Sequence, residues 1–460
     1  MSLPVSLIIR NGKIVTDLGI IDGVGIAVDE EKIVGVAKDP HLPREADLTI
    51  DAKGNYIMPG TIDPHTHIME PGFEWRSDWK SETEAAAVGG VTLVVDHAWN
   101  VPPSLRPSDF QRKIEIASGK AVVDFALHAG ATPQKDVLDA IPEIIELGAA
   151  SLKMFLCVSV PEYPEVDDGT FLKAMNLIAK KNGIASVHAE NKYILSVYER
   201  EIYDVLGRKD PLAHPDSRPS FAEGEATDKA IKYAEHTNCT LYIVHMSAKE
   251  AVEALELGKE RGVKVYGETC PQYLLFTTND MKKLGPYLKS NPPVRGKEHT
   301  EALWKAVQNG VIDCIGTDHC AYLKKEKDPG WEDIRKAAPG YPGLAEKAAV
   351  MLSKGVIEGR ITLRRFIELC CEKPAKIFGW YPQKGVIQVG SDADIIIVDM
   401  KQRMKVSLEK LHTRSEFTLY EGWELAGWPT HTIVRGNVVY QEGEIIGKPG
   451  FGKYIPRRVR

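Results

Sequence analysis

The sequence predicts an α/β protein: a (β/α)8 TIM barrel carrying a small β-sandwich domain formed by its N- and C-terminal segments. Three observations lead there. Eight short apolar runs alternate with helical patterns through the middle of the 460-residue chain, which implies parallel strands buried on both faces and closed into a barrel. Both ends of the chain read as short strands and turns instead. No Gly-rich phosphate turn follows the first strand, which weakens the doubly wound alternative.

In chain order, "VSLIIRNGKIV", "GVGIAVDEEKIVGVA" and "ADLTIDAKG" come first. The eight apolar runs follow: "YIMPGTIDPHTH", "VTLVVDHA", "VVDFALHAG", "SLKMFL", "IASVHAE", "TLYIVHMS", "VKVYGETC" and "VIDCIGTDH". Between them lie helical patterns such as "DGTFLKAMNLIAKKNG" and "AKEAVEALELGKERG". The strand texture returns in "DADIIIVDM" and "HTIVRGNVVYQEGEII". The barrel is expected over residues 55–385, and one composite domain over residues 1–54 and 386–460.

Composition is that of an ordinary soluble protein, with 43% hydrophobic and 27% charged residues. A net charge of −6 gives no case for nucleic acid, and the basic tail "YIPRRVR" reads as a solvated terminus. Seven cysteines, an odd number with no CxxC pair, argue for free thiols in a reducing compartment, the cytoplasm. No signal peptide is read at the N-terminus, and no apolar run reaches membrane-spanning length.

Polar residues are placed informatively. Ligand-type residues appear towards the ends of the runs: His65 and His67 end the first, the fourth carries Lys153, the fifth His188, the sixth His245, and the eighth Asp318 with His319. Residues i and i+2 of a strand share a face, so His65 and His67 project together as a pair of metal ligands. Strand C-termini of a barrel converge on one mouth. A single such histidine is more often structural; five strand ends doing it together make coincidence the poorer account. Lys153, in "GAASLKMFLCV", reads either as a lysine that snorkels to solvent or as a buried amine that loses its proton and reacts with CO2. His319, by alternation, points away.

With His65-X-His67, Lys153, His188, His245 and Asp318 in that order, the chain resembles the cyclic amidohydrolases: dihydropyrimidinases (hydantoinases), allantoinases and dihydroorotases. The likeness runs nearly end to end, through "AAAVGGVTLVVD", "VHAEN", "HMSAKEA", "ETCPQYLLF", "NPPVR", "GTDH" and "YEGWELAGWP". It implies two divalent metals, most often zinc, bridged by a carbamylated Lys153 and by hydroxide. His65, His67 and Asp318 would hold the inner metal, His188 and His245 the outer. Asp318 would serve as general base and then acid in opening a cyclic amide or ureide. A small-molecule substrate and a homotetramer or homodimer are implied; a nucleic-acid or membrane partner is not. Non-catalytic scaffold relatives lose the ligands, all of which are present here.

The signals for the ring are mixed. Dihydroorotases carry an arginine two residues after the second histidine, where this chain has Met69; allantoinases have asparagine there. Asn100 in "DHAWNVPP" follows the allantoinase pattern. Hydantoinases have a tyrosine five residues after the bridging lysine, where this chain has Val158, and Pro339 of "APGYPGLAE" replaces their asparagine. "HTH", "GTDHC" and "YEGWELAGWP" lean towards hydantoinases. Asn291 in "SNPPVR" is read as a substrate contact or as turn chemistry before two prolines. Met69, Asn100, Asn291 and Tyr341 are the candidate substrate-binding residues.

Overall fold

A computed structural model describes residues 5–16, 19–158, 160 and 162–458. The first four residues of the N-terminal segment and the last two of the basic tail lie outside the described residues.

The eight barrel strands are Thr61–His67, Val91–Asp96, Asp124–Leu127, Leu152–Phe155, Ile184–His188, Thr240–Ile243, Val265–Thr269 and Cys314–Ile315. All are parallel to their neighbours. Two short continuations close the ring. Ala129–Gly130 carries the third strand on to the fourth, and His319–Cys320 carries the eighth back to the first, pairing His319 with Thr66. A helix follows each strand, from Trp79–Val88 after the first to Lys297–Asn309 after the seventh. Parallel strands demand such crossovers, and the strands themselves are buried almost throughout, as their unbroken apolar runs require.

The chain ends meet in one nine-stranded sheet. Val5–Thr16 pairs with Gly19–Asp29, Ala46–Asp51 and Tyr56–Pro59, and the last of these pairs with Ile395–Lys405, which leads on to Glu424–Val434 and Asn437–Gln441. Leu7, Ile26, Ile57, Ile395 and Ile433, from strands at both ends of the chain, share one buried apolar cluster.

One run read as a single strand proves to be two. Tyr56–Pro59 belongs to the terminal sheet and Thr61–His67 to the barrel. Gly60 makes the passage because a Cβ there would sit 2.2 Å from Thr92 Oγ1. The first barrel strand therefore begins as a direct extension of the terminal sheet, and the histidines lie at its far end.

Candidate metal centre

His65 and His67 leave the end of the first strand with ring centroids 5.3 Å apart. Asp318 reaches them from just past the eighth strand. Its backbone N–H donates to His65 O at 3.0 Å, and its Oδ1 lies 3.1 Å from His65 Nε2 and 3.2 Å from His67 Nε2. His65 Nε2 is nevertheless out of hydrogen-bond alignment, and both it and His67 Nδ1 are buried without a partner. Ligand atoms of these three residues lie within 4.8 Å of one another.

The second half of the mouth comes from the fourth, fifth and sixth strands. His188 Nδ1 faces His245 Nε2 at 3.0 Å, and His245 Nδ1 is buried without a partner. Lys153, only 1% exposed, does not snorkel to solvent; its ammonium lies over the Phe155 ring, 5.2 Å from the centroid. Burial lowers its pKa to about 8 against the pull of Asp318 and Glu268. Burial also pushes His245 well below the ordinary imidazole range, helped by His188 and Lys153. Burial acts the same way on His65, but Glu268 and Asp318 overcome it and raise His65 to about 9. Asp318, which burial alone would raise, is held well below the usual carboxylate range by His65 and His67.

Among the described residues, two of the ten left-handed positions that are not glycine stand here. His245 (φ 39°) and Asp318 (φ 53°) both occupy the left-handed region, which costs a side-chain-bearing residue free energy and gathers at functional sites. Several imidazoles, a carboxylate and a depressed amine, with buried nitrogens left unpaired, form a donor set that fits divalent cations.

A cleft of about 750 Å³, counting the space open to solvent, lies over these groups. His67, Lys153, His188, His245 and Asp318 line it, while His65 is fully buried beneath. Trp99, Phe155 and Val158 form an apolar wall. Asn291 also lines the cleft, with its Oδ1 buried and unpaired.

The structure does not bring the other three candidate substrate residues to the cleft wall. Asn100 is fully buried; its amide donates to Ile68 O at 3.1 Å and accepts from Lys113 Nζ at 2.5 Å. Met69 is fully buried, with its sulfur 3.9 Å from Arg76 Nη1. Tyr341 is buried and donates to Ser290 Oγ at 3.0 Å.

The amidohydrolase family model matches residues 56–439, most of the chain and all of the ligand-bearing strands. The chain belongs to the amidohydrolase family. Amidohydrolases depend on metal ions, as the donor set found here would. The L-hydantoinase of Paenarthrobacter aurescens is 37% identical over 454 residues, covering 98% of each chain. The D-hydantoinase of Ralstonia pickettii is 36% identical over 461 residues, 98% of this chain and 99% of its own. Among solved structures, L-hydantoinase (dihydropyrimidinase) from Arthrobacter aurescens superposes with a TM-score of 0.95 at 36% identity, over 98% of this chain and all of that one. Dihydropyrimidinase from Brevibacillus agri gives 0.91 at 34% identity, over 98% and 99%.

Around this amidohydrolase mouth stand residues that sequence reasoning missed. Glu268, at the end of the seventh strand, accepts from His65 Nδ1 at 2.7 Å, from the His245 backbone N–H at 3.0 Å and from the Tyr242 hydroxyl at 2.8 Å. One carboxylate thus fixes a ring on the first strand and the backbone past the sixth. Gly316 makes room for it, since a Cβ there would lie 2.6 Å from Glu268 Cδ. The signal was present in "VKVYGETC", a lone acid at the end of an apolar run. Glu190 Oε2 sits 2.7 Å from His188 Nε2 and is itself held by Arg218. His319 turns away from the mouth, as alternation predicts, and pairs with Glu82 at 3.0 Å.

Proposed function

We propose that the protein opens a cyclic amide or ureide by hydrolysing a ring C–N bond, as a hydantoinase or dihydropyrimidinase. The reading is supported most by one observation: five ligand-type side chains from five barrel strands line one cleft, with His65 buried beneath them and buried nitrogens unpaired. His65, His67 and Asp318 would hold one divalent cation, zinc in this reading; His188 and His245 would hold a second; Lys153, as a carbamate, would bridge them. Bound there, the cations supply Lewis acidity, which lowers the pKa of a water and polarises the amide carbonyl.

The remaining work falls to the chain. The Lys153 amine, at about 8, is partly neutral near pH 7.5 and adds CO2 to give a carbamate and a proton. Asp318, ionised across the working range, takes the proton of the attacking water and returns it to the leaving ring nitrogen. The unpaired Asn291 amide is poised to hydrogen-bond a ring imide or ureide. Trp99, Phe155 and Val158 would receive an exocyclic substituent. The nearby Tyr163 cannot donate to the substrate, because its hydroxyl is bonded to Lys153 O at 2.5 Å.

Allantoin or dihydroorotate ring opening is the second reading; among the described residues the cleft lining holds no arginine to pair the carboxylate of a dihydroorotate-type ring. A homo-oligomer is part of the proposal, and the exposed apolar residues Tyr193, Val197, Val205, Leu206 and Phe221 supply a surface for it. Seven free thiols suit the cytoplasm, and among the described residues no helix is long and apolar enough to cross a membrane. A ring-opening panel of hydantoin, dihydrouracil, allantoin and dihydroorotate, run with metal analysis of the purified protein, tests the reading. Turnover of hydantoin or dihydrouracil by protein carrying two metals per chain is expected. Metal-free protein inert on the whole panel would establish a scaffold instead.

A further inference from the structure

Four buried imidazole nitrogens have no hydrogen-bond partner among the described residues: His65 Nε2, His67 Nδ1, His97 Nε2 and His245 Nδ1. Three sit on proposed metal ligands; the fourth does not. His97 comes directly after the second barrel strand. Leu93 and Val95 of that strand share one buried cluster with Ile62, Ala126 and Ile184 from strands around the barrel, so His97, two residues on, faces the same interior. Its backbone N–H donates to Thr66 O at 2.8 Å and continues the strand pairing. Its ring centroid lies 4.1 Å from that of His65, 5.0 Å from that of His67 and 4.6 Å from that of His128. His128 has spent both nitrogens, on Ser151 Oγ at 2.7 Å and Pro64 O at 2.9 Å. His97 has no such commitment. It does not line the cleft, and it stands outside the donor group of His65, His67 and Asp318.

We propose that His97 is a positioning residue that donates from Nε2 to an oxygen of the carbamate formed on Lys153. The inference rests on the proposed bridge. In that step the neutral Lys153 amine makes an N–C bond to CO2, one C–O double bond gives its π pair to oxygen, and an amine proton leaves to solvent. A side chain that donated becomes a buried anion that accepts. A buried acceptor without a donor is costly. The carboxylates whose charges act on Lys153, Asp318 and Glu268, have no proton to give. The second and third strands fill the arc between His65 and Lys153: His128 N–H donates to Asp96 O at 2.8 Å, and Ala131 N–H to Lys153 O at 3.0 Å. Of the two imidazoles these strands turn inward, only His97 keeps a nitrogen free. Burial, His65 and Lys153 press the His97 pKa down. The lysine is thus near enough for its charge to be felt, and a neutral ring keeps one N–H to give.

The test is protein stripped of metal with a chelator and reloaded with zinc across a series of carbon-13 bicarbonate concentrations, reading the carbamate carbon resonance, bound zinc and rate. His97→Met keeps the bulk and removes the N–H; His97→Gln keeps an amide N–H near the position of Nε2. The wild type and His97→Gln should show the carbamate at similar bicarbonate. His97→Met should need about tenfold more for the same signal and bound zinc, the scale on which partners behind a metal ligand act. At saturating bicarbonate its rate should return towards wild type, because the proposed role is to hold the bridge and not to touch substrate. A crystal structure of the reloaded wild type, which needs no variant, should place Nε2 within hydrogen-bond reach of a carbamate oxygen. Nε2 out of reach, or a His97→Met signal with wild-type bicarbonate dependence, overturns the role and leaves the bridge standing. His97→Gln as impaired as His97→Met shows that the ring supplies packing, and overturns it too. Zinc-loaded, active wild type without a carbamate resonance removes the bridge itself. The expected dependences in protein that opens no ring keep the inference and remove the proposed function.

Discussion

Two buried clusters of charge, at opposite ends of the barrel, are built on opposite plans. At the mouth, His65, His67, His188, His245, Lys153 and Asp318 crowd together with nitrogens unpaired and rings 4.6–5.3 Å apart. At the other end, Asp124 begins the third strand beneath the terminal sheet. Lys384 Nζ lies 2.5, 3.0 and 2.8 Å from Asp124, Asp392 and Asp394. Arg435 reaches Asp124 at 3.0 Å and Glu31 at 2.7 Å. This lower cluster carries its own cations and joins barrel to sheet. The upper one leaves imidazole nitrogens unpaired around a buried lysine. A buried charged group is tolerable when paired; where a protein leaves several unpaired, the partner comes from outside. That difference separates a clamp from a site, and both lie in a barrel whose strand C-termini carry chemistry and whose N-termini carry stability.

Four substitutions put the contrast at risk. Lys153→Ala should do most, because it removes the proposed bridge: metal and activity should fall together by elemental analysis and assay, with partial return in acetate or propionate. Full activity in this variant would show the fourth strand to be structural. Asp318→Asn keeps shape and loses the base, so turnover should drop by about 10²–10⁴-fold with metals largely retained; a rate within a few-fold of wild type refutes the role. Lys384→Met should leave metal content untouched and destabilise folding by about 3–5 kcal/mol, the cost of stranding buried partners, seen as a lower denaturation midpoint. If it lost metal as well, the two clusters would be one coupled system. Glu268→Gln is the mildest: metal affinity should weaken by about 10–100-fold, as when the carboxylate behind a ligating histidine is removed, with stability changed less than by Lys384→Met.

What the sequence revealed, and what it hid, follows the same division. His65 and His67 were legible because alternation along one strand is a local rule. His188, His245 and Asp318 were legible as residues of the mouth because each ends an apolar run and the barrel gathers such ends, and Lys153 because a lysine stands inside an otherwise apolar strand. Glu268 ends a run too, but its part depends on reaching a ring two hundred residues away, which no local pattern encodes. Asn100 was misread for the converse reason: its spacing from Asp96 fitted a known pattern, yet Lys113, from the following helix, ties both to the interior. The break at Gly60 was invisible because "YIMPGTIDPHTH" is apolar on both sides of it.

The left-handed backbone at His245 and Asp318 has a consequence for anyone who would make this protein hardier. Left-handed geometry costs a residue with a Cβ about 1–2 kcal/mol, and glycine avoids that penalty. A selection for heat resistance alone would therefore favour glycine at both positions and so erase the chemistry. Part of the robustness the fold gives up therefore sits at two residues of the mouth that the proposed chemistry needs.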